Sequence, residues 1–180
     1  MKFILIVLFA GFSLASNAQI KKASLQASGL TCSMCSKAVK EALEVVPFVE
    51  KVTVDIKNQQ YNLSFKQDAA VDPDALSKAV EDAGFSVAAL KITAAVDPQK
   101  LEKDEHVKIG TYYFHFLNGA GKEIKGDIVF NIVDKGFVSD KEHKKHASLS
   151  KMQCVKTGRM ARCCTTAEVN DQARVFHVII

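Results

Sequence analysis

Gly29-Leu30-Thr31-Cys32-Ser33-Met34-Cys35-Ser36 stands between two stretches of different periodicity, and that junction decides the fold. Before it, from Ile20 to Leu30, Ala23, Leu25 and Ala27 alternate with Lys22, Ser24 and Gln26, the two-residue period of a strand with one buried face. Gly29 breaks that run. After the cysteines, Val39, Leu43 and Val46 recur at helical spacing, with Lys37, Lys40, Glu41 and Glu44 opposite, and Pro47 ends the pattern. The eight residues are therefore a strand-to-helix loop.

Beyond Pro47, Val49, Val52, Val54 and Ile56 predict a second strand. Asn58-Gln59 turns it into Tyr61, Leu63 and Phe65, a hairpin partner. Asp72-Pro73-Asp74 starts a second helix, with Asp72 as N-cap and Pro73 at the first helical position, where the missing N–H costs nothing. Its apolar stripe is Leu76, Ala79, Val80 and Ala83, and Gly84 suits the C-terminal cap. Phe85 to Ile92 completes strand, helix, strand, strand, helix, strand, an α+β, ferredoxin-like split βαβ arrangement.

The loop carries chemistry as well as topology. Two spacer residues let the sulfurs of Cys32 and Cys35 converge, and Cys35 lies at a helix N-terminus, where unpaired N–H groups and the helix dipole favour thiolate over thiol. Thiolates are ligands for soft ions such as Cu(I), Hg(II), Zn(II) or Cd(II). Two ligands on an exposed loop leave a site open to a third from a partner, unlike the four-ligand cage of structural zinc. The same spacing also serves a redox disulfide or a plain structural disulfide.

Gly29-Leu30-Thr31-Cys32-Ser33-Met34-Cys35, with Lys37, Val39, Leu43 and Val46 behind it, resembles the heavy-metal-associated family of copper metallochaperones, copper-ATPase N-terminal domains and periplasmic mercuric-ion binding proteins. The resemblance runs from about Ile20 to Ile92 and includes Val52-Thr53-Val54-Asp55 and Ala83-Gly84-Phe85. It implies a ferredoxin-like fold, Cys32 and Cys35 as metal ligands, and Phe85 as the aromatic residue beside the metal loop. Leu30 replaces the usual Met of the pattern, a swap that keeps packing volume beneath the loop. Met34 is expected to point outward rather than ligate.

The N-terminus predicts export. Lys2 precedes the apolar run Phe3 to Phe12, which is too short to span a bilayer, and Ser16-Asn17-Ala18 supplies the small residues of a cleavage site. Residues 1–18 are thus expected to be a signal peptide and the destination periplasmic or otherwise exported. Mature organisation is expected as 19–92 heavy-metal-associated domain, 93–104 linker, and 105–180 a smaller mainly-β domain. An exported protein makes nucleic acid an improbable partner, and no later segment is apolar enough to span a membrane.

In the second half, His106 to Leu117 and Glu123 to Val133 predict two long strands joined through Asn118-Gly119-Ala120-Gly121, then a short polar helix around Asp140 to Ala147 and a last strand over Arg174 to Ile180. The basic run Lys141, Lys144, Lys145, Lys151, Lys156, Arg159 and Arg162 reads as a solvated face or a docking surface. Cys154, Cys163 and Cys164 match no familiar metal spacing. A disulfide from Cys154 to Cys163 or Cys164 is one expectation, and a second soft-metal site with Met152, Met160 or His177 the sharper one. His143 and His146 are expected at a solvated surface, and His115 is assigned no role.

The resulting expectation is a metal-binding protein, not an enzyme, that captures or relays Cu(I), or Hg(II), through Cys32 and Cys35. Its partners would be a metal transporter, an efflux component or a cuproprotein. The rival is a thiol–disulfide oxidoreductase using the same pair, against which stand the lack of thioredoxin-like alternation around the motif and of Trp or Pro beside Cys32. A binding module led by the C-terminal unit is a third alternative.

Overall fold

A computed structural model describes residues 18–162, 164 and 173–180. The signal peptide expected over residues 1–18 therefore lies outside the described residues, apart from Ala18. The order begins as strand β1 (Gln19–Ser28), helix α1 (Ser33–Glu44), β2 (Val49–Asp55), β3 (Gln60–Phe65), α2 (Pro73–Asp82) and β4 (Ser86–Lys100). Ala23, Leu25 and Ala27 of β1 are buried, as their alternation requires, and Val39 and Leu43 of α1 are fully buried against them. In α2, the Asp72 carboxylate accepts from the Asp74 N–H at 2.9 Å, while Leu76 and Val80 are sealed from solvent. Each such aliphatic side chain contributes about 1.5–3 kcal/mol by leaving water.

The chain continues as β5 (His106–Ile109), β6 (Tyr112–Phe116), β7 (Glu123–Ile132), α3 (Asp140–Ala147), α4 (Cys154–Thr157) and β8 (Val175–Ile179). All eight strands form one sheet in the order β2-β3-β1-β4-β7-β8-β6-β5. Two expectations are corrected here. Residues 93–100 are not linker but the continuation of β4, whose second edge pairs antiparallel with β7 from Leu90↔Ile132 to Lys100↔Glu123. The linker signal came from Asp97-Pro98, which falls at a register shift between Val96 and Gln99, where a strand tolerates proline. Residues 105–180 therefore extend the first unit's sheet.

The second correction concerns strand pairing. His106 to Leu117 is not one strand but a tight hairpin, β5 and β6, turning at Gly110-Thr111. Nor do β6 and β7 pair with each other, because β8 inserts between them, parallel to β6 and antiparallel to β7. Val175, Phe176 and Val178 of β8 are fully buried, so this strand has apolar neighbours on both faces. One face joins Phe114, Phe116, Phe130 and Phe176 to the main core under α1 and α2. On the other face, Val175 packs with Cys154, Val155, Met160 and Cys164 in a small separate cluster. Among the described residues, no helix is long and apolar enough to cross a membrane.

Candidate metal-binding loop

The end of β1 and the start of α1 place the two cysteines. Gly29 takes φ of +85°, a left-handed conformation that glycine adopts without a Cβ penalty, and it turns the chain off the strand. Phe85 lies across this turn: its Cδ1 would stand 3.8 Å from a Cβ at Gly29. Leu30 packs against the core below the loop, while Met34 is 69% exposed and points away.

Cys32 is the N-cap of α1, with extended backbone, and its sulfur accepts from the Cys35 N–H at 3.4 Å. The two sulfurs are 2.9 Å apart, and Thr31 Oγ1 is 3.8 Å from Cys35 Sγ. These contacts draw the Cys35 thiol down from its ordinary value to about 7: the hydrogen bond from Cys32 contributes most, then Thr31 through backbone and hydroxyl, with the Cys32 backbone adding least. Cys35 is thus a thiolate in substantial fraction at neutral pH, and Cys32 is exposed beside it.

Sequence reading did not single out the support beneath this loop. Tyr61, buried on β3, donates its hydroxyl to the Ser36 carbonyl at 3.2 Å and meets the Ser36 hydroxyl at 3.0 Å, pinning the first turn of α1. The alternation of β3 predicted that Tyr61 faces inward, but what its hydroxyl reaches depends on how α1 crosses the sheet. Beside the loop, a cleft of about 480 Å³ runs between Leu30, Thr31, Cys32 and the Lys37–Lys40 side of α1, over Val54 and Ile56.

The cysteines of the second half lie elsewhere. Cys154 and Cys164 are buried in the small cluster with Met160, Met152 packs at its margin, and Cys163 is outside the described residues, as is any bond it makes. Cys154 Sγ faces His106 Nε2 at 3.6 Å and His115 Nδ1 at 3.7 Å. His115, assigned no role from sequence, is fully buried. Burial above all, then the neighbouring His106 and His177, pushes it down to about 4, so its imidazole is neutral at pH 7. His177 is buried beside it and bonded through Nδ1 to Asp134 Oδ1 at 2.6 Å. The missing signal was register, since only the β5–β6 turn sets His106 opposite His115, and only the insertion of β8 sets His177 beside them.

His143 and His146 do not join this group. His143 Nδ1 donates to the Val133 carbonyl at 3.1 Å, and His146 pairs with Glu142 at 3.3 Å on α3. The basic residues of this region, Lys141, Lys144, Lys145, Lys151, Lys156, Arg159 and Arg162, are exposed.

Comparison with known proteins singles out the first half of the chain. A family model described as heavy-metal-associated domain matches residues 24–86. The mercuric transport protein periplasmic component of Serratia marcescens is 35% identical over 83 residues, covering 43% of this chain and 90% of that protein. The copper-transporting ATPase HMA4 of Oryza sativa subsp. japonica is 34% identical over 67 residues, 37% of this chain but 7% of that protein, so only a small part of the ATPase is matched. Among solved structures, oxidised MerP from Ralstonia metallidurans CH34 is 35% identical, covers 38% of this chain and 94% of that chain, and has a TM-score of 0.35.

Proposed function

Since the chain belongs, through residues 24–86, to the heavy-metal-associated domain family, we propose that it captures a soft metal ion between Cys32 and Cys35 and relays it to a partner. Cu(I) is the cargo we favour, and Hg(II) the second; Zn(II) and Cd(II) suit the same thiolates less selectively. One observation carries the proposal: two convergent sulfurs 2.9 Å apart on an exposed helix N-terminus, one of them drawn down to about 7. Binding displaces at most a proton or two, and the sulfurs, 2.9 Å apart here, separate to admit the ion between them. The exposed side of the ion remains open to a ligand from an acceptor, so transfer can pass through a shared intermediate without a free ion. No turnover of substrate is involved.

The acceptor would be a metal transporter, an efflux component or a cuproprotein, docking over the cleft beside Cys32, whose rim includes Lys37 and Lys40. We place the protein in the periplasm or an equivalent exported space. The apolar run Phe3–Phe12 and the periplasmic designation of the Serratia marcescens relative support that location. Residues 19–92 are the metal-carrying unit in this proposal, and residues 105–180 extend its sheet.

The test is an anaerobic titration of the reduced protein with Cu(I) against a competing chelator, alongside Cys32→Ser plus Cys35→Ser. Tight one-to-one binding that disappears in the double variant is the expected result. If nothing outcompetes the chelator and the protein instead cycles a Cys32–Cys35 disulfide, the relay is wrong and the thiol–disulfide oxidoreductase alternative takes its place.

A further inference from the structure

Three neighbouring strands carry histidines in one row. His106 on β5 is the register partner of His115 on β6, and His115 is the register partner of His177 on β8. Cross-strand partners project from the same face, and here that face is covered by the small cluster to which α4 contributes Cys154. The His106 and His115 rings stack with centroids 4.3 Å apart, and the His115 and His177 centroids are 5.3 Å apart. None of the four side chains is more than 8% exposed.

From this placement we infer that His106 Nε2, His115 Nδ1 and Cys154 Sγ form a second, buried metal site for a d10 ion of borderline softness, Zn(II) or Cu(I), with His177, whose ring centroid is 5.3 Å from that of His115, drawn in as the fourth ligand when the ion binds. The three donor atoms of His106, His115 and Cys154 already lie within 4.8 Å of one another. Zinc bonds of about 2.0 Å to nitrogen and 2.3 Å to sulfur, at tetrahedral angles, separate the two ligand atoms by about 3.5 Å. The sulfur stands 3.6 Å and 3.7 Å from the two nitrogens.

The outer contacts fix which ring nitrogen of His115 and of His177 faces inward, and the His106 ring, stacked 22° from the plane of His115, turns to bring its Nε2 to the same ion. His115 Nε2 bonds Asp104 Oδ1 at 3.2 Å; with its proton there, Nδ1 presents a lone pair towards the sulfur. His177 Nδ1 is held by Asp134 at 2.6 Å, and Asp134 is itself held by Arg174 at 3.0 Å. That leaves His177 Nε2 buried with no hydrogen-bond partner among the described residues, an uncompensated polar atom of the kind a metal bond would satisfy. A metal here ties α4 to three strands of the sheet.

This site is independent of the loop cysteines. The strands β4 and β7 intervene between β1, which leads into the loop, and β8, the nearest of the three histidine strands. One ion cannot serve both places. The loop site is open for exchange, whereas this one is enclosed and suits a resident ion.

The experiment uses the full chain bearing Cys32→Ser and Cys35→Ser, reduced and anaerobic, with Co(II) as the first probe. Expected is one equivalent bound with a thiolate-to-cobalt charge-transfer band and the intense visible bands of four-coordinate cobalt, bleached by one equivalent of Zn(II) or Cu(I). Whichever ion is retained against a chelator identifies the occupant. Cys154→Ser should abolish the charge-transfer band. If that variant does not fold, X-ray absorption on the zinc- or copper-loaded parent decides: one sulfur with two or three imidazole nitrogens supports the site. A shell without sulfur, six-coordinate cobalt, or a charge-transfer band that survives in folded Cys154→Ser overturns it.

Discussion

The exposed Cys32–Cys35 loop and the buried histidine row of β5, β6 and β8 hold similar donor atoms under opposite conditions. At the loop, water reaches the sulfurs, the local hydrogen bonds come from neighbours in sequence, and a partner can approach. In the row, the donors arrive from residues 106, 115, 154 and 177, and every one is sealed by packing. On the proposed reading, local structure is enough to build a site that gives up its ion. A site that keeps one needs the whole fold, and its residues consequently carry stability as well as chemistry.

That contrast breaks most readily at Asp134. This buried carboxylate accepts from Arg174, from the His177 ring and from the His177 N–H. Asp134→Ala removes one of the two carboxylates that hold Arg174, the other being Asp74, together with the partner of the His177 ring, and should destabilise the protein by about 2–3 kcal/mol, read from urea unfolding. Replacing both loop cysteines by serine should change stability by less than about 1 kcal/mol in the same metal-free measurement, since Cys32 is exposed and serine keeps an oxygen at the N-cap of α1. Comparable losses in the two variants would remove the distinction.

Acid also separates the two sites. In the metal-free protein, His115 is surrounded by His106, His177, Cys154 and Asp104, and it accepts a proton only near pH 4. The unfolded chain takes that proton near the ordinary histidine value of about 6.5. The unfolded state therefore binds more protons between those values, and folding stability should fall as pH drops from about 6.5 towards 4. His115→Gln should flatten that limb of the stability curve; an unchanged slope would show that other groups govern it.

Smaller effects belong to the loop. Gly29→Ala forces a side chain into positive φ and should cost about 1–2 kcal/mol. Because the new methyl would meet Phe85 only at ordinary contact distance, the cost is conformational, and Gly29→Asn should recover part of it. The subtlest change is in reactivity: alkylation of Cys35 should rise with a midpoint near pH 7, and Thr31→Ala should move that midpoint upward. A midpoint near the ordinary thiol value would mean that the Cys32 and Thr31 contacts do not hold in solution.

Much of the first half was legible because its signals are local. Asp72-Pro73 capping α2, Gly84 ending it, and the alternation of β1 and β3 each act within a few residues, and the structure places them as that pattern requires. The second half was misread where a local signal competed with pairing. Asp97-Pro98 resembles a linker, yet β4 absorbs it at a register shift, and Asn118 to Gly121 resembles a hairpin turn, yet β8 takes the place between β6 and β7. Sequence reading linked Cys154 with His177 in the sharper of its two expectations but omitted His106 and set His115 aside.

The order of strands and helices through Ile92, the cysteine loop at a helix N-terminus and the chemical character of that loop all follow from neighbours along the chain, where period, capping and spacing are physical constraints a linear sequence expresses. The single eight-stranded sheet, the seat of β8 and the convergence of three histidines on Cys154 follow from strand pairing between residues far apart in the chain. Pairing register turns on which distant apolar faces bury each other best, and no short stretch of sequence contains both sides of that choice.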